Sequence, residues 1–218
     1  MEGILALIPH APAATLLLAI TLATSLYDFL IDGSIRARFI LHPYTVVRER
    51  QWYRLFTSTL LHGDWLHLFL NLFVYYNFAF YLEAVFYRYY TLGQPALVSS
   101  LYFTVIYVGS GILASLALVF RHRADPGYYG LGASGAIAGI LFSFILLEPS
   151  VQLLVFFVPL PAWLFGLLYL VFSYVASRQQ HDRVAHDAHF WGALVGALLT
   201  LALMPQAVLH RWAEFLAQ

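Results

Sequence analysis

Residues 95–120 read PALVSSLYFTVIYVGSGILASLALVF, a run without a charged residue. A helix that crosses a lipid bilayer needs about 20 mostly apolar residues, and this run is long enough. The rest of the chain has the same character, since 61% of its 218 residues are hydrophobic and only 10% are charged. Soluble domains carry about 25% charged residues. The sequence therefore predicts an integral membrane protein.

Five further apolar runs are separated by loops that carry most of the charges and turn residues. Together the runs predict six transmembrane helices, near residues 11–30, 65–86, 95–120, 133–147, 162–177 and 189–204. No loop is long enough for a soluble domain, so we expect an all-α, multi-pass membrane protein with residues 1–218 in one transmembrane domain. The loop over residues 31–62 combines arginine and aromatic residues, which favours an amphipathic segment at the membrane interface.

Charge and cysteine content exclude several partners and chemistries. The formal net charge is zero, so we expect no nucleic-acid partner. The sequence has no cysteine, which excludes disulfides, thiolate catalysis and cysteine-based metal sites. The partner that the composition predicts is the lipid bilayer.

Polar side chains at membrane depth are costly and usually functional, and here they form three clusters. His67 and Asn71 lie four residues apart in HLFLN and share one face of the second helix. Ser134 stands at the start of the fourth helix and His189 at the start of the sixth. Because successive spans alternate in direction, these three helices begin at the same membrane face. The three clusters are therefore expected at one depth.

The chemistry of these clusters is complementary. A serine hydroxyl becomes a good nucleophile when a base takes its proton, and imidazole suits that task near neutral pH. Ser134 and His189 supply such a pair. The tetrahedral intermediate of acyl transfer needs hydrogen-bond donors for its oxyanion, which His67, Asn71 and the backbone N–H groups at the start of helix four can provide. A serine-histidine dyad works without a metal, so no cofactor is expected.

Paired glycines explain how the two helices could meet. Gly135 and Gly139 follow the serine, and Gly192 and Gly196 follow the histidine, each pair in small-xxx-small spacing. Such pairs let helix backbones pack in contact. The spacing predicts that helices four and six cross closely, next to Ser134 and His189.

Three segments resemble the motifs of rhomboid proteases. YYGLGASGAIAG (residues 128–139) resembles their GxSG motif, and AHFWGALVG (188–196) resembles their AHxxGxxxG histidine helix. HGDWLHLFLN (62–71) resembles their HxxxxHxxxN segment. Tyr53-Arg54, Glu83 and PLPAWLFG (159–166) are also similar to family features at corresponding places. GxSG alone is weak, but the whole set in this order spans nearly the entire chain and is specific.

The resemblance implies a six-helix rhomboid core and an intramembrane serine endopeptidase. It implies that Ser134 is the nucleophile, that His189 is the general base and then the acid, and that His67 and Asn71 stabilise the oxyanion. It further implies transmembrane protein substrates, cut near the point where they enter the membrane, with lateral access past helix five. The corresponding location is the bacterial inner membrane.

Two features depart from that pattern. Rhomboid proteases often have an aromatic residue four positions after the serine, packed on the catalytic imidazole, where this chain has Ala138. Another ring is therefore expected to position His189. In addition, arginine is concentrated in the loops on the active-site side, which by the positive-inside rule would face the cytoplasm, whereas bacterial rhomboids usually open the other way.

Three other classes of protein fit the sequence less well. A catalytically inactive rhomboid-like chaperone or trafficking factor would share the fold, but such relatives commonly lack the serine or the histidine. A metal-dependent intramembrane protease would need H-E-x-x-H, which the sequence lacks. A transporter would have broken helices at mid-bilayer in two related halves. Taken singly, each polar residue could also be a helix cap or an interhelical hydrogen-bonding group.

Overall fold

The computed structural model describes residues 4–90, 95–155, 157–179 and 185–217, and most of them are helical. In these ranges the α-helices, in chain order, are α1 (Pro12–Leu30), α2 (Ser34–Phe39), α3 (Pro43–Arg48), α4 (Arg54–Thr57), α5 (Trp65–Val85), α6 (Ala96–His122), α7 (Ser134–Leu147), α8 (Ala162–Gln179), α9 (His186–Leu203) and α10 (Pro205–Leu216). Short 3-10 helices cover Ile4–His10 and Ser58–Leu60, and a π-helical turn covers Phe86–Tyr90. A hairpin joins α7 to α8, with β1 (Gln152–Val155) antiparallel to β2 (Val158–Pro161).

The long helix α6 contacts α1, α7 and α9. Small residues on α6 let its neighbours approach closely. A Cβ at Gly111 would come within 3.2 Å of Ala136 of α7 and of Thr59 in the segment before α5. Larger side chains of α6, such as Phe103 and Tyr107, are fully buried in the apolar core. Helix α6 therefore fixes the distances between the helices that carry the candidate site.

The helices differ in whether they are long and apolar enough to cross a membrane. Among the described residues, three helices are long and apolar enough to cross a membrane, over Pro12–Leu30, Trp65–Arg88 and Ala96–His122. Helices α9 and α10 pass the same test as a pair, bent by 103°, while α7 and α8 are apolar but shorter. The expectation of an all-α membrane protein is confirmed apart from the hairpin. The count of six spans and the single domain over residues 1–218 stay predictions.

The hairpin escaped sequence reasoning because each strand is only four residues long. A short apolar run has no periodicity that separates a strand from a helix or a loop. The helix predicted from residue 189 begins earlier in the structure, at His186. The amphipathic segment expected over residues 31–62 contains the short helices α2, α3 and α4.

Helix α7 is short but almost wholly buried. Its 14 residues give about 21 Å of helix, less than the ~30 Å of a bilayer core. The last carbonyls of a helix lack intrahelical partners and must find others. Arg211 Nε donates to the Leu147 carbonyl at 2.8 Å, and Trp212 Nε1 donates to that of Leu146 at 3.1 Å. Helix α10, which carries both donors, therefore closes the end of α7 away from Ser134.

A buried carboxylate joins three helices at the same end of the molecule. Glu83 of α5 is fully buried and accepts hydrogen bonds from the backbone N–H groups of Ala13 at 3.1 Å and Ala14 at 2.7 Å. The Ser100 hydroxyl of α6 donates to the same carboxylate at 2.6 Å. The first N–H groups of a helix have no intrahelical acceptor, and a negative charge is favourable there. Glu83 thus fixes the start of α1 against α5 and α6.

Replacing Glu83 with alanine should destabilise the protein strongly. The change would leave three donors without their acceptor, one of them buried and two partly buried, and an unsatisfied buried group costs about 1–3 kcal/mol. We expect Glu83→Ala to lower the free energy of unfolding by about 3 kcal/mol or more, measured by denaturant titration in mild detergent. Glu214→Gln, at a side chain that is 48% exposed, is the control and should change it by less than about 0.5 kcal/mol. Equal unfolding curves for the two variants would contradict the role of Glu83.

Candidate active site

The segment before Ser134 is held on both sides by backbone hydrogen bonds. Gly130 exchanges two such bonds with Leu41, both at 2.9 Å. The Gly132 N–H donates to the Ser58 carbonyl at 3.0 Å, and Gly132 has φ +115°, which favours glycine over any L residue. The chain then turns directly into α7 with Ser134 as its first helical residue. The free N–H groups at the start of a helix, together with its dipole, favour a negative charge at this point.

The glycines of α7 and α9 are in backbone contact, as their spacing predicts. A Cβ on Gly192 would overlap the carbonyl oxygen of Gly135 and lie 2.7 Å from its carbonyl carbon. One turn further, a Cβ on Gly196 would overlap Gly139 and lie 2.6 Å from its carbonyl carbon. Only glycine permits this approach, so the prediction of closely crossed helices is confirmed.

This contact lies next to both members of the predicted dyad. Ser134 immediately precedes Gly135, and a Cβ at Gly135 would lie 3.4 Å from the carbonyl oxygen of Ala188. His189 follows Ala188 in the first turn of α9. Both Ser134 and His189 are half-buried. The structure therefore brings the helix ends that carry the two residues together.

A small cavity of about 20 Å³ adjoins the serine. Its lining includes Ser134, Gly132, Ala188, Ser58 and Ser115. A cavity of this size holds about one water molecule when polar groups line it. The serine thus lies beside a space that combines hydroxyl groups with backbone.

His67 packs against the segment that leads to Ser134. A Cβ at Gly132 would lie 2.7 Å from Cε1 and 2.8 Å from Nε2 of His67, so the imidazole takes the place that a side chain would fill. The Gly63 N–H donates to His67 Nδ1 at 3.3 Å. Because a backbone nitrogen can only donate, Nδ1 is the acceptor, and a neutral ring then carries its proton on Nε2. The N–H of His67 is therefore on the edge that faces the segment before Ser134.

Asn71 lies one turn after His67 and is 7% exposed. Its Nδ2 donates one hydrogen to the His67 carbonyl at 2.9 Å, and an amide nitrogen carries a second. Asn71 lines a cavity of about 10 Å³ together with Ala133, the residue before Ser134. Both predicted oxyanion residues thus lie beside the start of α7.

His62 packs against His67 and supports it from the side of α1. It is fully buried, its Nδ1 lies 2.9 Å from Ser25 Oγ, and its ring meets His67 edge-on at 5.1 Å between centroids. The Ser25 hydroxyl donates its hydrogen to the Leu60 carbonyl at 3.0 Å, so His62 Nδ1–H is the donor to Ser25. Burial lowers the pKa of His62 to about 3, which keeps the ring neutral. His62 connects α1 to the histidine that faces Gly132.

Among the described residues, the structure has three contacts in the region of His189 that the sequence did not predict. Asp187 forms an ion pair with Arg121 of α6 at 2.6 Å, which agrees with leaving it out of the catalytic set. Arg121 also donates to the Ser177 carbonyl of α8 at 3.0 Å. Tyr169 of α8 stacks on the His189 ring. No local sequence signal reveals these contacts, since each joins helices that are distant in the chain.

The fold and the site define a helical membrane protein in which serine, histidine and asparagine side chains lie near one end of the bundle. The chain belongs to the rhomboid family, because the family model described as "Rhomboid domain" matches residues 49–206. This match confirms the family and the fold class that the sequence motifs predict.

Individual relatives agree over shorter stretches. The "RHOMBOID-like protein 12, mitochondrial" of Arabidopsis thaliana is 37% identical over 70 residues, which cover 32% of this chain and 21% of that protein. The "Putative rhomboid protease YdcA" of Bacillus subtilis (strain 168) is 34% identical over 94 residues, which cover 43% of this chain and 40% of that protein. The matched regions span less than half of each relative.

Adding one methyl group at Gly192 should separate α7 from α9. Because the new Cβ would overlap the backbone of Gly135, Gly192→Ala should lower the free energy of unfolding by about 1–3 kcal/mol or more through overpacking. The measurement is denaturant titration in mild detergent. Gly33→Ala is the matched control, since its Cβ would have no atom closer than 3.6 Å. A Gly192→Ala protein as stable as this control would refute the backbone contact.

Stability should fall in acid because of His62. Its pKa is about 3 in the folded protein and 6.5 in a model compound, so between these values the unfolded chain binds a proton that the folded chain does not. The free energy of unfolding should therefore be highest above pH 6.5 and fall as the pH decreases, by at most about 1.4 kcal/mol per pH unit from this group. His62→Gln should flatten the dependence measured between pH 7 and 4.5. His210→Gln, at an exposed histidine, should not; equal slopes in all three proteins would contradict the assignment.

Proposed function

We propose that this chain is an intramembrane serine endopeptidase that cleaves transmembrane protein substrates. The observation that carries the proposal is the backbone contact between Gly135 and Gly192, which holds the starts of α7 and α9 together. Ser134 is the nucleophile and His189 the general base. Membership of the rhomboid family and a relative named as a rhomboid protease support the same reaction class.

The reaction would proceed by acyl transfer in two halves. His189 takes the proton of the Ser134 hydroxyl as the oxygen attacks the scissile carbonyl carbon, and the carbonyl oxygen becomes an oxyanion. His189 then gives the proton to the leaving amine as the C–N bond breaks, leaving an ester on Ser134. A water molecule, activated by His189, attacks this ester and releases the new carboxyl end and the free serine.

The oxyanion would be stabilised by donors from two helices. His67 Nε2–H, the second Nδ2 hydrogen of Asn71 and the first N–H groups of α7 all belong to groups around the segment before Ser134. In apolar surroundings such fixed donors act more strongly than in water, because little solvent screens them. His67 also keeps its proton on Nε2 through the Gly63 bond, so the donor needs no rearrangement.

The substrate class follows from the environment of the site. Helix α8 exposes large apolar side chains along its outer face, among them Leu167, Val171 and Phe172, which suits contact with lipid. A transmembrane segment that arrives from the bilayer would pass this helix to reach Ser134. The proposal places the protein in a bacterial inner membrane; the mitochondrial relative makes an organellar membrane the alternative.

Labelling by a fluorophosphonate probe tests the dyad. We expect the wild type in detergent or liposomes to be labelled, and Ser134→Ala and His189→Ala to lose labelling. Ser143→Ala, at another buried serine of α7, should be labelled like the wild type. His67→Ala and Asn71→Ala should each slow cleavage of a transmembrane substrate by about 100- to 1,000-fold, because each removes an oxyanion donor.

The absence of labelling and cleavage would decide against the proposed protease. A folded wild type that takes no label and cleaves no transmembrane substrate would overturn the proposal. It would favour a catalytically inactive rhomboid-like chaperone or trafficking factor on the same fold.

A further inference from the structure

Helix α8 supplies an aromatic ring to the proposed general base. The ring of Tyr169 lies 6.3 Å from that of His189 between centroids, with 25° between the planes, which is a stacked arrangement. Tyr169 also contacts Phe142 of α7 at 5.6 Å and Phe165 of α8 at 5.9 Å. Offset stacking at such distances is an attractive geometry for aromatic rings. The Tyr169 ring is therefore held between three helices, with one face toward the imidazole.

The position that could supply a ring from α7 is occupied by a methyl group. Ala138 lies one turn after Ser134 and is 2% exposed, so it packs in the core without reaching over the imidazole. His186 meets His189 edge-on at 5.9 Å. His186 is on the same helix as His189 and moves with it, so it cannot fix the imidazole relative to Ser134. A ring from another helix can.

The close approach of α8 to α7 depends on a glycine. A Cβ at Gly166 would lie 3.1 Å from Cδ1 of Ile145, so α8 packs closely on α7 at this point. Tyr169 lies three residues later and therefore on the same face of α8. The fold thus directs Tyr169 toward the space between α7 and α9.

We propose that Tyr169 is a positioning residue for His189, and that α8 is for this reason a part of the catalytic apparatus. This inference rests on the proposed function. An imidazole can rotate about two side-chain bonds, and a stacked ring restricts that rotation. A misplacement of about 1 Å in a catalytic group can cost about 100-fold in rate.

Helix α8 is attached along one side. Its buried positions, Ala162, Gly166, Ser173 and Ser177, lie on that side, and the opposite side is exposed. Near its end, the Ser177 carbonyl accepts a hydrogen bond from Arg121 of α6. A displacement of α8 would separate Tyr169 from His189 and leave the imidazole without its stacking partner.

Three variants separate the ring from the hydroxyl and from general packing. Tyr169→Leu should lower kcat for cleavage of a transmembrane substrate about 10- to 100-fold and leave KM within about two-fold. Tyr169→Phe keeps the ring and should retain kcat within about three-fold. Trp163→Leu removes another ring of the same helix, which contacts Phe215 of α10, and should behave like Tyr169→Phe. Equal kcat in Tyr169→Leu and wild type would overturn the inference. An equal loss of kcat in Tyr169→Leu and Tyr169→Phe would also overturn it.

Nuclear magnetic resonance of histidine supplies a readout that is independent of activity. The ring-proton signal of His189, assigned by its loss in His189→Gln, should shift in Tyr169→Leu because the ring current of the stacked tyrosine is gone. It should stay in place in Trp163→Leu. An unmoved signal in Tyr169→Leu would overturn the positioning role even in an active protein. If the signal moves but the wild type neither takes the probe nor cleaves a substrate, the Tyr169–His189 stack would be supported and the protease function would be overturned.

Discussion

The structure depends on one contact, the meeting of two helix backbones at paired glycines. Gly135 and Gly139 of α7 lie against Gly192 and Gly196 of α9 with no room for a Cβ between them. In a membrane, apolar side chains gain little by leaving lipid, so helix association relies on close packing and hydrogen bonds. The glycines provide that closeness, and because each pair follows the serine or the histidine, they also bring together the residues of the proposed dyad. Stability and chemistry therefore rest on the same surface.

Polar groups inside the bundle hold the remaining helices in relation to that contact. Glu83 caps the start of α1 and joins it to α6. Arg211 and Trp212 close the carbonyl end of α7, which is too short to reach both membrane faces by itself. His62 connects α1 to His67. Glu83 and His62 are fully buried, where an unpaired hydrogen-bonding group is costly. The need to pair these groups therefore fixes how the helices that carry the site are oriented.

Helix α8 makes fewer contacts than its neighbours α7 and α9, and it carries the ring that stacks on the proposed base. One of its sides packs on α7 and α9, while the other is exposed and apolar. The proposed base takes its stacking partner from this helix, instead of from α7, where Ala138 is too small. The geometry of His189 would thereby depend on the position of α8.

The sequence alone predicts the membrane class, the helical character and the residues of the candidate site. Long uncharged runs predict helices because backbone groups in lipid must bond within their own segment, and polar residues at the starts of three such runs stand out against that background. The glycine spacings even predicted which helices meet. The tertiary structure decided what local patterns cannot encode: the hairpin after α7, the bend of 103° between α9 and α10, the proton on Nε2 of His67, the Arg121–Asp187 pair and the Tyr169–His189 stack. The hairpin strands are too short to show a periodic pattern, and the bend turns α10 onto the end of α7. The other three features join residues far apart in the chain or depend on the direction of a side chain, and such relations arise only when the helices have packed.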